Sequence, residues 1–185
     1  AKSEWIAFID SDDIWYVNKL QNDVKAISHH DDLRFLYSKA CLIDSEGARI
    51  NQVSFSGRSE VFGTGISGRS DGGIECLLRS SFQVPTSSVV AKKKDLESIG
   101  GFDETETDIE DTLVWYKLGE LGPIHFCDDV NVGYRIHDTS WNNVNRANIK
   151  LYSRRCRLYI NLAKYYGAKY LPEVFSAFIR IGLRR

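Results

Sequence analysis

The 185-residue chain carries a formal net charge of −1, with 43% hydrophobic and 26% charged residues, the balance of an ordinary soluble globular protein able to bury its own core. Its four cysteines are widely spaced with no C-x-x-C pair, which argues against a zinc site or disulfide framework and for reduced thiols in a cytoplasmic protein. No apolar run approaches the roughly 20 residues that a membrane-spanning helix needs, and Lys2 and Glu4 lead into the first strand with no signal-peptide pattern.

In chain order, Ile6–Ile9 reads as a buried strand, a short apolar run ending at a polar cluster, as inside a parallel sheet. Asn18 to Ser28 reads as a helix with Leu20, Val24 and Ile27 as its apolar stripe. Phe35 to Tyr37 is a second strand, and Asp44 to Gly47 a turn. Ser54 to Gly73 is rich in glycine and serine and reads as a loop without stable elements. Ile74 to Arg79 predicts a short helix, Thr86 to Lys93 a strand, and Lys94 to Ile99 a brief helix closed by Gly100-Gly101. "DIEDTLVWYKLGELG" (108–122) predicts a helix with acids at its positive end. Ile124 to Phe126 and Val130 to Tyr134 read as strands. A long helix from Asn148 and a last one after Pro172 complete an alternation that indicates an α/β fold without internal repeats.

Charge divides the chain. Residues 1–145 hold 14 Lys and Arg against 24 Asp and Glu, while 146–185 hold 10 against the single acid Glu173. The natural units are therefore an acidic body, 1–145, and a basic helical tail, 146–185.

The densest chemistry lies in "WIAFIDSDDIW", where an apolar strand runs into Asp10, Asp12 and Asp13 and returns at once to Ile14 and Trp15. Two carboxylates about 4 Å apart repel by roughly 4 kcal/mol at an effective dielectric near 20, so a divalent cation is the first candidate to neutralise them. A solvated turn with an aspartate cap is the plainer reading of such a cluster. It is not an EF-hand, since Trp15 stands where the loop needs glycine. It also departs from a phosphatase "DxDxT" pattern, because Ile14 takes the threonine position.

Four pieces, "AFIDSDDIW", "TSSVVAKK", "GGFDE…EDTLVW" and "GYRIHDTS", follow one another in an order that resembles the second half of a family 2 glycosyltransferase catalytic domain. The resemblance runs from Ala1 to about Ser140. It implies a partial Rossmann-like glycosyltransferase A domain, a mainly parallel sheet flanked by helices, followed by the helical tail. The implied activity is inverting, metal-dependent and non-processive, moving a hexose-like sugar from a nucleotide-sugar, a UDP-sugar first, to a hydroxyl of a glycan or lipid-linked acceptor in polysaccharide synthesis. The processive signature "QxxRW" is missing.

Carried over by position, Asp10 would lie near the ribose. Asp12 would be the main contact to Mn²⁺ or Mg²⁺ and the diphosphate, with Asp13 supporting it. Hard oxygen ligands suit such cations. Asp111 resembles the base that deprotonates the acceptor, help worth about 10²–10⁴-fold in general, with Glu110 beside it at the acceptor. Acids in a first helical turn also favour the macrodipole without any catalysis. His137, after "YR", is a candidate metal ligand, and Arg135 a partner for phosphate or for the acidic helix. Ser87 and Ser88 resemble a small polar pair at the donor. Trp115 reads as core, and Trp141 as an acceptor contact. His29, His30 and His125 read as structural.

The resemblance also places opening strands and a nucleobase-reading aspartate upstream of these residues. The absence of methionine and a start inside a core strand agree with a missing upstream part, without which nucleotide binding is expected to be weak. The alternative is a non-catalytic carbohydrate- or nucleotide-binding remnant; a phosphotransferase lacks a nucleophile motif. For the basic tail, with Arg154, Arg155 and Arg157 clustered, peripheral contact with the inner face of a membrane is one expectation, and packing against the body or a second subunit another. The acidic body argues against a nucleic-acid partner.

Overall fold

The computed structural model describes residues 2–50, 61–79, 84–106, 109–136, 160–162, 164 and 166–170. Seven strands form one sheet: β1 (Trp5–Ala7), β2 (Ile14–Trp15), β3 (Phe35–Ile43), β4 (Val61–Phe62), β5 (Gly68–Ser70), β6 (Val90–Lys92) and β7 (Ile124–Arg135). Among the described residues, the helices α1 (Lys19–His29), α2 (Gly73–Arg79), α3 (Lys93–Ser98) and α4 (Glu110–Glu120) accompany them. The hydrogen-bonded order is β1-β6-β3-β7-β2, with β4 on β3 and β5 on β7.

A mainly parallel sheet is not what forms. β3 and β7 pair in parallel, and every other pairing among the described strands is antiparallel. Strand direction does not show in apolar periodicity. Because β6 opposes both β1 and β3 while β7 follows β3, the strands β1, β3 and β7 still point the same way. The C-terminal end of β1 lies level with Leu36 and His125, and β3 and β7 run on past it. A 3₁₀ turn, Thr86–Ser88, lies beside that end of β1 because it leads into the reversed strand β6. That geometry, rather than any local sequence, gathers the site.

Other elements differ from their sequence patterns for physical reasons. Thr86–Ser88 is a turn and not the start of a strand, since Val89 N–H bonds back to Thr86 O at 3.0 Å. β3 runs past Tyr37 because Ser38 is buried and bonded, its N–H to Ser88 Oγ at 3.2 Å. The two strands expected over 124–134 are one. A bulge lets Cys127 pair with Ser38 and Val130 with Lys39, while Asp128 turns out to meet Lys39 at 2.6 Å. Within the glycine-rich stretch, β4 and β5 do form, as short edge additions.

Helix α1 is rotated from its expected face. Leu20 and Val24 are 53% and 65% exposed, and Val17 just before it 95%. The buried positions are Lys19, Asp23 and Ala26. Lys19 Nζ is paired with Asp23 Oδ2 and lies 5.5 Å from the Trp15 ring centroid, so the charges enter the interior together. Helix α4 is the opposite case. Leu113, Val114, Trp115, Tyr116 and Leu118 are all buried, as a helix surrounded by protein requires.

The main core joins Phe35 and Tyr37 of β3, Ile124 and Phe126 of β7, Ile74, Leu77 and Leu78 of α2, and the apolar side chains of α4. Full burial of such side chains is worth about 1.5–3 kcal/mol each. Trp115 is in this core, edge-on to Phe8 with ring centroids 5.3 Å apart, as its sequence reading anticipates. The α2–α4 contact is close because glycines make it. A Cβ at Gly73 would collide with the carbonyl oxygens of Gly119 and Gly122.

Among the described residues, Cys41, Cys76 and Cys127 are free thiols. No described helix is long and apolar enough to cross a membrane.

Candidate active site

The acidic turn begins where β1 ends. Phe8 N–H reaches Val89 O at 3.0 Å, and the chain then folds back so that Asp13 N–H meets Asp10 O at 3.2 Å. Asp10, Asp12 and Asp13 therefore share one tight turn. Ile14 and Trp15 leave it by pairing with Gly133 and Val132 of β7, which explains the abrupt return to apolar residues.

The three acids take different positions in that turn. Asp10 is exposed, Asp12 half-buried and Asp13 buried. Both oxygens of Asp13 have partners: Oδ1 accepts Arg135 N–H at 2.9 Å and Oδ2 accepts the Ser87 hydroxyl at 2.5 Å. Ser87 Oγ also accepts Asp10 N–H at 3.0 Å, and the Trp15 indole N–H holds the Ser87 carbonyl at 2.7 Å. The Ser88 hydroxyl donates to Pro85 O at 2.7 Å. Ser87 and Ser88 are 1% and 0% exposed; Ser87 supports the acidic turn from beneath, while Ser88 Oγ also accepts the Ser38 N–H of β3.

Electrostatics match this placement. Burial pushes the Asp13 carboxyl up to about 6, against the hydrogen bonds from Ser87 and Arg135 and with a smaller push from the charges of Asp10 and Asp12. Asp10 is also raised, first by desolvation and then by Asp12 and Asp111, with Ser87 opposing. Asp111, 101 residues later in the sequence, is thus close enough for its charge to act on Asp10.

Asp111 sits in the first turn of α4, after Ile109, which gives no side-chain cap. Its Oδ1 accepts Thr112 N–H at 2.5 Å and the Thr112 hydroxyl at 3.0 Å. Its Oδ2 accepts the Thr86 hydroxyl at 2.7 Å. A carboxylate oxygen offers two lone-pair sites, so Oδ2 retains one for an incoming hydroxyl. Thr86 is the residue that sequence reasoning missed; its only local signal is a polar triplet before Val89-Val90, and its partner is 25 residues away. Glu110 is half-buried beside Asp111.

Arg135 makes different contacts from those expected. Its Nε donates to Asp12 O at 2.6 Å, and its Nη1 to Asp44 O and Ser45 O at 2.6 and 2.8 Å. His137 and Trp141 lie outside the described residues.

Among the described residues, no group of three His, Cys, Asp or Glu forms a closed cation cage. Asp10 and Asp12 fit another arrangement: mutually repelling hard oxygens in the turn after β1, suited to a cation that takes one or two carboxylates and completes its shell with substrate phosphate and water.

No protein-family model matches the sequence. Two curated relatives do. One, described as an uncharacterized glycosyltransferase of Rickettsia felis, is 26% identical over 137 residues, covering 74% of this chain and 21% of its own. The other, an uncharacterized glycosyltransferase of Rickettsia conorii, is 24% identical over the same length and coverage. This chain is similar in sequence to glycosyltransferases. It spans about a fifth of the length of those relatives. In fold it is similar to the crystal structure of S. aureus TarS 1–349, with a TM-score of 0.51 and 15% identity, covering 88% of this chain and 42% of that one. The mixed α/β architecture is shared with that structure.

Proposed function

We propose that the chain forms the reacting half of an inverting, non-processive glycosyltransferase of family 2 type. It would move a hexose-like sugar from a nucleotide-sugar, a UDP-sugar first, to a hydroxyl of a glycan or lipid-linked acceptor. The observation that carries this reading is that the adjacent hydroxyls of Thr86 and Ser87 hold Asp111 on one side and Asp10 and Asp13 of the acidic turn on the other. The similarity to glycosyltransferases supports the class of reaction.

In this reading Asp111 Oδ2 accepts the proton of the acceptor hydroxyl, and Thr86 fixes the direction of that carboxylate. The oxygen attacks the anomeric carbon from the side opposite the nucleotide, so one bond forms as the sugar–phosphate bond breaks and the configuration inverts. Asp10 would bind a ribose hydroxyl, and Asp12 would hold a Mn²⁺ or Mg²⁺ ion. A divalent cation bound there supplies positive charge against the negative charge that grows on the leaving diphosphate. Glu110, and His137 and Trp141 beyond the described residues, are proposed neighbours of acceptor or metal. The basic tail is a proposed peripheral contact with an anionic surface, consistent with a lipid-linked acceptor.

The test uses the full-length protein, a panel of UDP-sugars and Mn²⁺. Asp111→Asn should abolish transfer while keeping metal-dependent UDP binding, and Asp12→Asn should lose that binding. Chelation should stop turnover, with Mn²⁺ restoring it. Normal turnover by Asp111→Asn would refute the base assignment. Metal-dependent UDP binding by a wild-type protein that transfers nothing would favour a binding remnant.

A further inference from the structure

We infer that Arg135 is the positioning residue of the acidic turn, and that with the buried Asp13 it forms a brace fixing Asp12 and tying the site to the Asp44–Gly47 turn. The inference about geometry stands on hydrogen bonds alone; its functional half rests on the reading of Asp12 as the donor-side contact.

Four contacts come from this one residue. Its backbone N–H holds Asp13 Oδ1 at 2.9 Å, and its Nε holds the Asp12 carbonyl at 2.6 Å. Its Nη1 reaches the carbonyls of Asp44 and Ser45 at 2.6 and 2.8 Å. The guanidinium thus meets three backbone carbonyls in two separate turns, a use that its planar fork allows and a lysine ammonium does not reproduce. Strand pairing makes the span possible, because Ile14 and Trp15 after the acidic turn pair with Gly133 and Val132, and Ile43 before the 44–47 turn pairs with Arg135 at the end of β7.

The remaining members complete the brace from inside. Asp13 binds Arg135 with one oxygen and Ser87 with the other, and Ser87 holds the Asp10 N–H. The Asp44 carboxylate stiffens the second turn by accepting Glu46 N–H and Ala48 N–H, both at 2.9 Å. Gly47, at φ +89°, allows its reversal. Asp13 is therefore assigned to the frame, and the direction of Asp12 is set by a residue 123 positions away. A displacement at the 44–47 turn is transmitted to Asp12 through a single guanidinium.

Amide hydrogen exchange on the full-length protein tests the brace without reference to turnover. Arg135→Lys should speed exchange at the Asp13 and Gly47 amides together, at least tenfold, while the Ile99 amide, which caps the C-terminus of α3, keeps its rate. Asp13→Ala should release the Asp10 and Arg135 amides, and Asp13→Asn, which preserves an acceptor for Arg135, should hold them; these variants serve if Arg135→Lys fails to fold. Wild-type rates at Asp13 and Gly47 in Arg135→Lys, or equal effects of Asp13→Ala and Asp13→Asn, would overturn the brace. A Mn²⁺ titration with UDP supplies the functional arm. Arg135→Lys should weaken binding about tenfold and recover with excess Mn²⁺, whereas Asp12→Asn should not recover. If the exchange pattern holds but wild-type protein binds no Mn²⁺–UDP, the brace stands and the donor-site reading fails. If wild-type and Arg135→Lys bind equally well, the functional half fails and the donor site stands.

Discussion

The Thr86 hydroxyl donates to Asp111 Oδ2 at 2.7 Å, joining the 3₁₀ turn before β6 to the first turn of α4. The next residue, Ser87, holds Asp10 and Asp13. Two adjacent side chains therefore fix the spacing between the proposed base and the donor-side acids.

Thr86→Val keeps the shape of this link and removes its donor. A hydrogen bond to a charged group contributes about 1.5–3 kcal/mol, so kcat should fall about tenfold or more, with the donor KM near its wild-type value. Steady-state kinetics at saturating acceptor check this; an unchanged kcat would show that Asp111 needs no such orientation.

The pH dependence of stability should report Asp13. Its folded pKa, about 6, lies above the ordinary 3.8, so the group favours the folded state fully below pH 3.8 and loses that contribution as pH rises through 6. The loss is at most about 3 kcal/mol. Asp13→Asn cannot ionise, so its stability relative to wild type should improve from about pH 4 to 6 and level off above that. Urea unfolding of both proteins at several pH values measures the difference, and parallel curves would mean that the buried carboxyl titrates normally.

Lys19 and Asp23 offer a double-mutant test. Lys19→Met leaves Asp23 buried without its cation and should cost about 3–5 kcal/mol. Adding Asp23→Leu should restore most of this stability. Unfolding free energies of the single and double variants decide it; a double variant no better than Lys19→Met would place the damage in packing.

Gly73→Ala tests the seat of the helix that carries Asp111. The added methyl meets backbone oxygen of Gly119 and Gly122, which only a shift of α2 against α4 relieves. Overpacking of this kind typically costs about 1–3 kcal/mol. A fall in the thermal midpoint together with reduced kcat would tie helix spacing to the site. A full-length protein as stable as wild type would show that α2 yields freely.

Sequence pattern reached some of this site and not the rest, and the reasons are physical. Three acids at the end of an apolar strand and two more opening a helix stand out because like charges in a small space need compensation. Periodicity located α1 but reversed it. A stripe of Leu20 and Val24 signals amphipathicity, yet Lys19 and Asp23 neutralise one another and take the interior, leaving the apolar residues exposed. The chemistry of Ser87, Ser88 and Arg135 suggests ligand contacts, and each also makes contacts within the protein. Their partners are backbone groups and an acid 50 to 123 residues away, and no local pattern encodes those distances.

The bond between Arg135 and Asp13 joins residues 122 apart, and β3 meets β7 across a similarly long stretch, with Phe35 opposite Ile124. Contacts of such separation form late, since much chain entropy is lost before they are made. On the ribosome, the acidic turn is synthesised before β7 and waits for it to emerge before its shape is fixed. A nascent chain would carry these carboxylates as loosely held charges with little means of gripping a nucleotide, and binding competence would arrive with the completed sheet.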